Sequence, residues 1–162
     1  MDSFEIHAIL PADQSFIAEL LQQHWGDRKV VSRGKVHDAA LLPGLIAERD
    51  GSPVGLITLH YEGNACEVVT LDAFVAREGI GSALLRKAQE EAVARGYNRF
   101  WLITTNDNID ALAFYQKCGF RMVAVHPDAV SEARKLKPQI PLMTDNGILI
   151  LDEIEMALNF SR

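Results

Sequence analysis

"REGIGSALLRKAQEEA", residues 77–92, decides how the rest of the chain is read. It follows an apolar strand pattern, "CEVVTL" (66–71), and opens a helix pattern in which Ile80, Leu84, Ala88 and Ala92 recur every fourth position. Gly79 and Gly81 stand at the junction. Without Cβ atoms, the backbone there can turn sharply and let a ligand approach closely. The first N–H groups of a helix lack partners within it and lie at the positive end of its dipole, so such a turn is a seat for phosphate.

Two nucleotide-binding signatures are absent. The third glycine of G-x-G-x-x-G falls on Leu84, and the neighbours of Trp101 are apolar where an acidic residue is required about 20 positions on. No G-x-x-x-x-G-K-[ST] occurs either. Taken alone, two glycines also fit an ordinary strand-to-helix turn.

Working outward, "FEIHAIL" (4–10) reads as a first strand stopped by Pro11. Asp13 caps a helix with Phe16, Ile17, Leu20, Leu21 and Trp25 on one stripe, ended by Gly26. Residues 27–44 have no sustained period and are expected to be a loop with short structured pieces. Residues 44–63 read as a hairpin turning at Asp50-Gly51. "ACEVVTLDAF" (65–74), apolar on both faces, reads as a central strand. After the glycine turn and its helix come a strand at 99–105 and a helix at 108–119. Asn106 or Asn108 caps that helix and Gly119 closes it. A strand at 120–125 and a proline-broken connection with a short helix at 128–136 follow. The last strand alternates Ile154, Met156, Leu158 and Phe160. The order β-α-β-β-β-α-β-α-β-β predicts a single α/β (α+β) domain over 1–162, with helices flanking a mixed sheet.

The chain has 162 residues, 48% of them apolar and 23% charged, an ordinary composition with ample material for a core. A net charge of -6 argues against a nucleic-acid or acidic-membrane partner and permits a cationic substrate. Cys66 and Cys118 form no C-x-x-C pair and are expected to be reduced, which suits the cytoplasm. No signal-peptide pattern opens the chain, and no apolar run approaches the ~18 residues of a membrane span. His, Cys and carboxylates show no metal-ligand spacing, so no metal is expected.

"NIDALAFYQKCGF" (108–120), together with "REGIGSALL", closely resembles the GNAT N-acetyltransferase superfamily. Asn108, Ala111, Phe114, Tyr115, Gly119 and Phe120 match the pattern N-x-x-A-x-x-F-Y-x-x-x-G-F at every fixed position. "VVSRGKVHD", "TTNDN" and "LKPQIP" resemble a subgroup of small bacterial members. The resemblance implies a mostly antiparallel sheet of about seven strands and acetyl-CoA as acyl-donor co-substrate. One departure concerns the loop Q/R-x-x-G-x-G/A, whose first position falls on Ala76, with the arginine displaced to Arg77.

By that resemblance, the backbone from Glu78 through Gly79, Ile80 and Gly81 to Ser82 cradles the coenzyme A pyrophosphate, and pantetheine runs along Leu71, Asp72 and Ala73. A backbone N–H, that of Ala73, polarises the thioester carbonyl. Asn108 meets pantetheine or a water, with Ala111 and Phe114 beside it. Arg86 and Lys87 either reach the ribose phosphate or are solvated surface charge. Tyr115 is the general acid, since a phenol of pKa ~10 can protonate a thiolate of pKa ~8.5 at modest cost. From the sequence alone, Tyr115 and Phe114 read equally as helix core.

Glu67 is the candidate base for the amine. Alternation groups it with Val69, Leu71 and Ala73, and a charge in an apolar strand must be paired, wet or used. The open alternative is a solvated strand end, salt-bridged to a lysine or arginine. Trp25, Arg33, His37, His60 and Asp152 lie in segments where the resemblance places the acceptor, while His7 reads as structural. With no nucleophile suited to a covalent intermediate, direct transfer in a ternary complex is expected. The expected acceptor is a small-molecule primary amine. A protein N-terminus or lysine is the alternative, and a silent acyl-CoA-binding module is a third reading. A homodimer is a family-level expectation.

Overall fold

The structure, a computed structural model, describes residues 3–159. Its strands are β1 (Glu5–Ala8), β2 (Lys29–Ser32), β3 (Lys35–Asp38), β4 (Gly44–Arg49), β5 (Ser52–Glu62), β6 (Ala65–Ala73), β7 (Arg99–Thr105), β8 (Arg121–His126) and β9 (Glu153–Asn159). Its helices are α1 (Gln14–Trp25), α2 (Ile80–Ala94), α3 (Ile109–Lys117) and α4 (Ala129–Leu136). Among the described residues seven strands form one sheet in the order β1-β4-β5-β6-β7-β9-β8, and only β6 and β7 pair in parallel. Among the described residues, no helix is long and apolar enough to cross a membrane.

Each face of the sheet carries its own core. On one side the Ile80, Leu84, Ala88 and Ala92 stripe of α2 packs against Ile57, Leu59, Cys66, Val68, Phe100 and Met156. On the other, Ile17 and Leu21 of α1 meet Ile46 and Leu56. Gly55 sets how closely α2 approaches: an added Cβ would lie 2.5 Å from Ile80 Cγ2 and 2.9 Å from Leu84 Cδ1. The start of α2 is thereby seated directly on β5.

One expectation is sharpened and another corrected. Within 27–44, expected to be a loop with short structured pieces, residues 29–38 form one hairpin, β2 paired with β3 from Lys29↔Asp38 to Ser32↔Lys35. Only four residues long, each strand is too short to display a period, and the turn uses Arg33 and Gly34 with φ of 49° and 77°. The correction lies within β6. Its partner residues run Leu59↔Val68 and then Thr58↔Thr70, so Val69 is an extra residue, a β-bulge. A bulge reverses the side-chain alternation beyond it. Glu67 therefore does not share a face with Leu71 and Ala73; it faces the α1 side and Leu71 the α2 side. In the last strand, Phe160 lies outside the described residues.

Candidate active site

The bulge also opens the sheet. β6 and β7 pair in parallel from Ala65↔Arg99 to Val68↔Leu102, and the pairing stops there although both strands continue. Beyond Val69 the two strands part and leave a cleft with a cavity on each side. On the α2 side the cavity holds about 450 Å³ and is lined by Leu71, Ala73, the turn from Arg77 to Ser82, Ala111, Phe114 and Tyr115.

Backbone direction along β6 sorts the three cleft residues. Phe74 N–H donates to Val54 O at 2.8 Å, and hydrogen-bonded pairs in an antiparallel ladder recur every second residue. Asp72 is thus bonded to β5, while the backbone groups of Leu71 and Ala73 point away from β5 into the cleft. The Asp72 carboxylate turns to α1 and accepts from Trp25 Nε1 at 2.6 and 2.7 Å. Of the three, only Leu71 and Ala73 line the cavity.

At the turn, Arg77 and Gly79 both have positive φ, 63° and 73°, and Gly79 precedes the first residue of α2. The helical ladder begins with Ala83 N–H donating to Gly79 O, so the N–H groups of Ile80, Gly81 and Ser82 stand ahead of it. A Cβ on Gly81 would lie 3.5 Å from Phe114 Cζ, on the cavity wall. Glu78 would oppose an anion here, but Arg49 of β4 pairs with it at 2.5 Å and offsets its charge. A pyrophosphate therefore fits this cradle. Arg86 and Lys87 are exposed one turn on.

α3 brings Phe114 and Tyr115 to the same cavity. Asn108 Oδ1 accepts from Ala111 N–H at 3.2 Å and caps α3, so this oxygen is committed to the helix. Asn106 instead clamps the approach to β9, accepting from the N–H groups of Leu151 and Asp152 and donating to Leu149 O. Tyr115 packs edge-on to Phe114 and Phe120, and burial, then the Asp72 charge, push its phenol pKa well above the ordinary value. A phenol so placed stays protonated and can donate.

Across the sheet, a cavity of about 240 Å³ lies between β6, β7, the hairpin and α4, with Glu67, Glu153 and Thr104 among apolar walls. Glu67 also faces a second cavity of about 320 Å³ beneath the hairpin. It is 4% exposed, which excludes the solvated strand end, and it accepts from Ser32 Oγ at 2.6 Å. Burial raises its pKa, opposed by the Ser32 hydrogen bond. His37 Nε2 stands 3.7 Å from Glu67 Oε1.

The remaining sequence candidates separate. Trp25 borders the 240 Å³ cavity, and His60 borders the 320 Å³ one. Arg33 is engaged by Glu153 at 3.0 Å. Asp152 Oδ1 accepts from Asp128 N–H, tying the start of α4, and His7 pairs with Glu48. Both cysteines are unbridged, and burial holds the Cys66 thiol up at about 12. Sequence reasoning missed Ser32, Arg49 and Glu153. A hairpin signal was present for Ser32, in paired valines followed by Arg33-Gly34. The other two act through long-range pairing that no local pattern announces.

The Acetyltransferase (GNAT) family model matches residues 8–120. The chain is similar to the protein YxbD of Bacillus subtilis (strain 168), with 43% identity over 90% of this chain and 94% of that one. Its fold is similar to that of a GNAT family acetyltransferase from Elizabethkingia anophelis with acetyl-CoA bound, with TM-score 0.66 and 21% identity over 98% and 99% of the two chains. It is also similar to that of the ribosomal-protein-S18-alanine N-acetyltransferase from Escherichia coli, with TM-score 0.69 and 17% identity over 99% and 96%.

Proposed function

This chain belongs to the acetyltransferase (GNAT) family, and on that premise we propose that it moves the acetyl group of acetyl-CoA to the primary amine of a small molecule, by direct transfer in a ternary complex. The observation that carries this reading is the parting of β6 and β7 at Val69, with a phosphate cradle and Tyr115 on one side and buried Glu67 on the other. An acyl donor and an acceptor can thus approach one point from opposite faces.

When bound, acetyl-CoA supplies the activated acyl group. The N–H groups at Ile80, Gly81 and Ser82 hold its pyrophosphate, and the cleft-facing backbone of Leu71 and Ala73 receives the pantetheine arm. The Ala73 N–H polarises the thioester carbonyl and stabilises the developing oxyanion. Glu67 takes one proton from the ammonium form of the acceptor. After attack Tyr115 gives its proton to the departing thiolate, and the second proton lost by the new amide nitrogen returns to the Tyr115 phenolate. Burial keeps the Tyr115 proton on the phenol until the thiolate forms. One proton is released per turnover.

A small acceptor is supported by the limited volume of the 240 Å³ cavity and by its walls, largely apolar with buried carboxylates that attract an ammonium. A mass-spectrometric screen of a small-amine panel, with acetyl-CoA, tests this reading. An acceptor that gains one acetyl group is expected. Acetylation confined to peptides would overturn the small-molecule part. Coenzyme A binding without transfer to any amine or peptide would make the chain a silent binding module.

A further inference from the structure

A buried base that takes a proton at each turnover must hand it on before acting again. Glu67 is 4% exposed, so it cannot do this directly to bulk water. An imidazole close to it is that of His37 on β3, itself 5% exposed, whose Nε2 has no hydrogen-bond partner among the described residues and points toward Glu67 Oε1 across 3.7 Å. An unpartnered buried nitrogen is costly and calls for an explanation. His37 in turn packs on His60, ring centroids 4.9 Å apart. His60 Nε2 lies 3.0 Å from Glu62 Oε1 and 3.1 Å from Lys35 Nζ, and the Glu62 side chain is 72% exposed. Glu67, His37, His60 and Glu62 all line the 320 Å³ cavity beneath the hairpin, so a route from the buried carboxylate to exposed Glu62 runs along it.

We propose that His37 is a relay residue that carries the proton from Glu67 to solvent by way of the cavity that His60 and Glu62 border. The proposal rests on the reading of Glu67 as the base. In the first step the O–H bond of protonated Glu67 breaks and an N–H bond forms at His37 Nε2, regenerating the carboxylate. The imidazolium then gives its proton to water entering the 320 Å³ cavity that His37, His60 and Glu62 line, which regenerates the neutral His37 ring. One proton enters from the ammonium and one leaves, so the enzyme returns to its starting state. A ring adjustment of under about 1 Å closes the 3.7 Å gap to hydrogen-bond range. Burial raises the carboxyl and lowers the imidazole pKa, so the two converge, which suits reversible exchange. The other charged groups facing the pair are Arg33 and Lys35 on the hairpin, Arg99 on β7 and Glu153 on β9.

The test compares His37→Gln, His60→Gln and Glu67→Gln with an alkylamine acceptor in weak buffer. His37→Gln should lower kcat about tenfold, leave the KM for acetyl-CoA unchanged, and recover when imidazole is added. Should His37→Gln misfold, His60→Gln, at the outer end, should show a smaller loss with the same recovery. A kcat equal to wild type, or a loss that imidazole does not restore, would overturn the relay. Loss of activity in Glu67→Gln with full activity in His37→Gln would reject the relay alone, whereas a fully active Glu67→Gln would reject Glu67 as base and the relay with it. Histidine NMR titration needs no turnover: replacing Glu67 removes a negative charge, so the His37 midpoint should fall in Glu67→Gln. An unmoved midpoint means the two groups are not coupled, and the relay is wrong.

Discussion

At Gly81 neither the backbone nor the packing requires the absence of a side chain, which leaves the proposed phosphate cradle as its reason. Its φ is ordinary, and an added Cβ would make a normal 3.5 Å contact with Phe114. Gly81→Val should therefore fold, while its γ-methyls project into the cavity beside the cradle. Calorimetry should show acetyl-CoA affinity reduced by about 2 kcal/mol, roughly thirtyfold in Kd, with Tm little changed. Tyr115 presents the reverse case, a polar group in a mostly apolar wall. With Tyr115 in the proposed role of acid, Tyr115→Phe should keep the Kd for acetyl-CoA and lower kcat on the order of 10²-fold. Equal kcat in the two proteins would leave Tyr115 as packing. The residue identities at this scale were legible in the sequence, since spacing and glycine placement are local. The hydrogen bond from Ser32 to Glu67 was not, because it joins residues 35 positions apart.

Among the elements, α3 shows one side chain serving two masters. Asn108 caps the helix through its oxygen and borders the acceptor-side cavity, so the two roles can be separated by substitution. Asn108→Asp keeps the capping oxygen and removes the amide donor. Asn108→Ala removes both. The alanine variant should lose about 1 kcal/mol, a Tm drop of about 2–4 °C, while the aspartate variant should melt near wild type. A lower kcat/KM in both would give the amide a part in binding, and normal kinetics in the aspartate variant would restrict Asn108 to capping. At this scale the sequence signal was strong for α1, α2 and α3, whose apolar stripes or caps recur over two turns or more. It failed for β2 and β3, since four-residue strands carry no measurable period.

For the whole molecule, the buried pair beneath the hairpin predicts how stability depends on pH. Glu67 has a folded pKa raised above its unfolded value, so its contribution is fully present below about pH 4.3 and is lost as pH rises through the folded value. His37 has a lowered folded pKa, chiefly through burial, so it destabilises the fold as pH falls below about 6.5. Glu67→Gln should thus gain in Tm relative to wild type as pH rises, and His37→Gln should gain as it falls. Melting curves from pH 4 to pH 8 (about the span of the two ordinary values) check both signs, and parallel curves would contradict them. By itself the sequence determined the glycine turn, the helices and the central position of β6, because each is written in spacing over a few residues. Only the tertiary structure decided which face Glu67 takes. A single extra residue at Val69 reverses the alternation, parts β6 from β7, and turns the carboxylate toward Ser32 and His37. A bulge exists only relative to the partner strand, so one strand read alone cannot contain it.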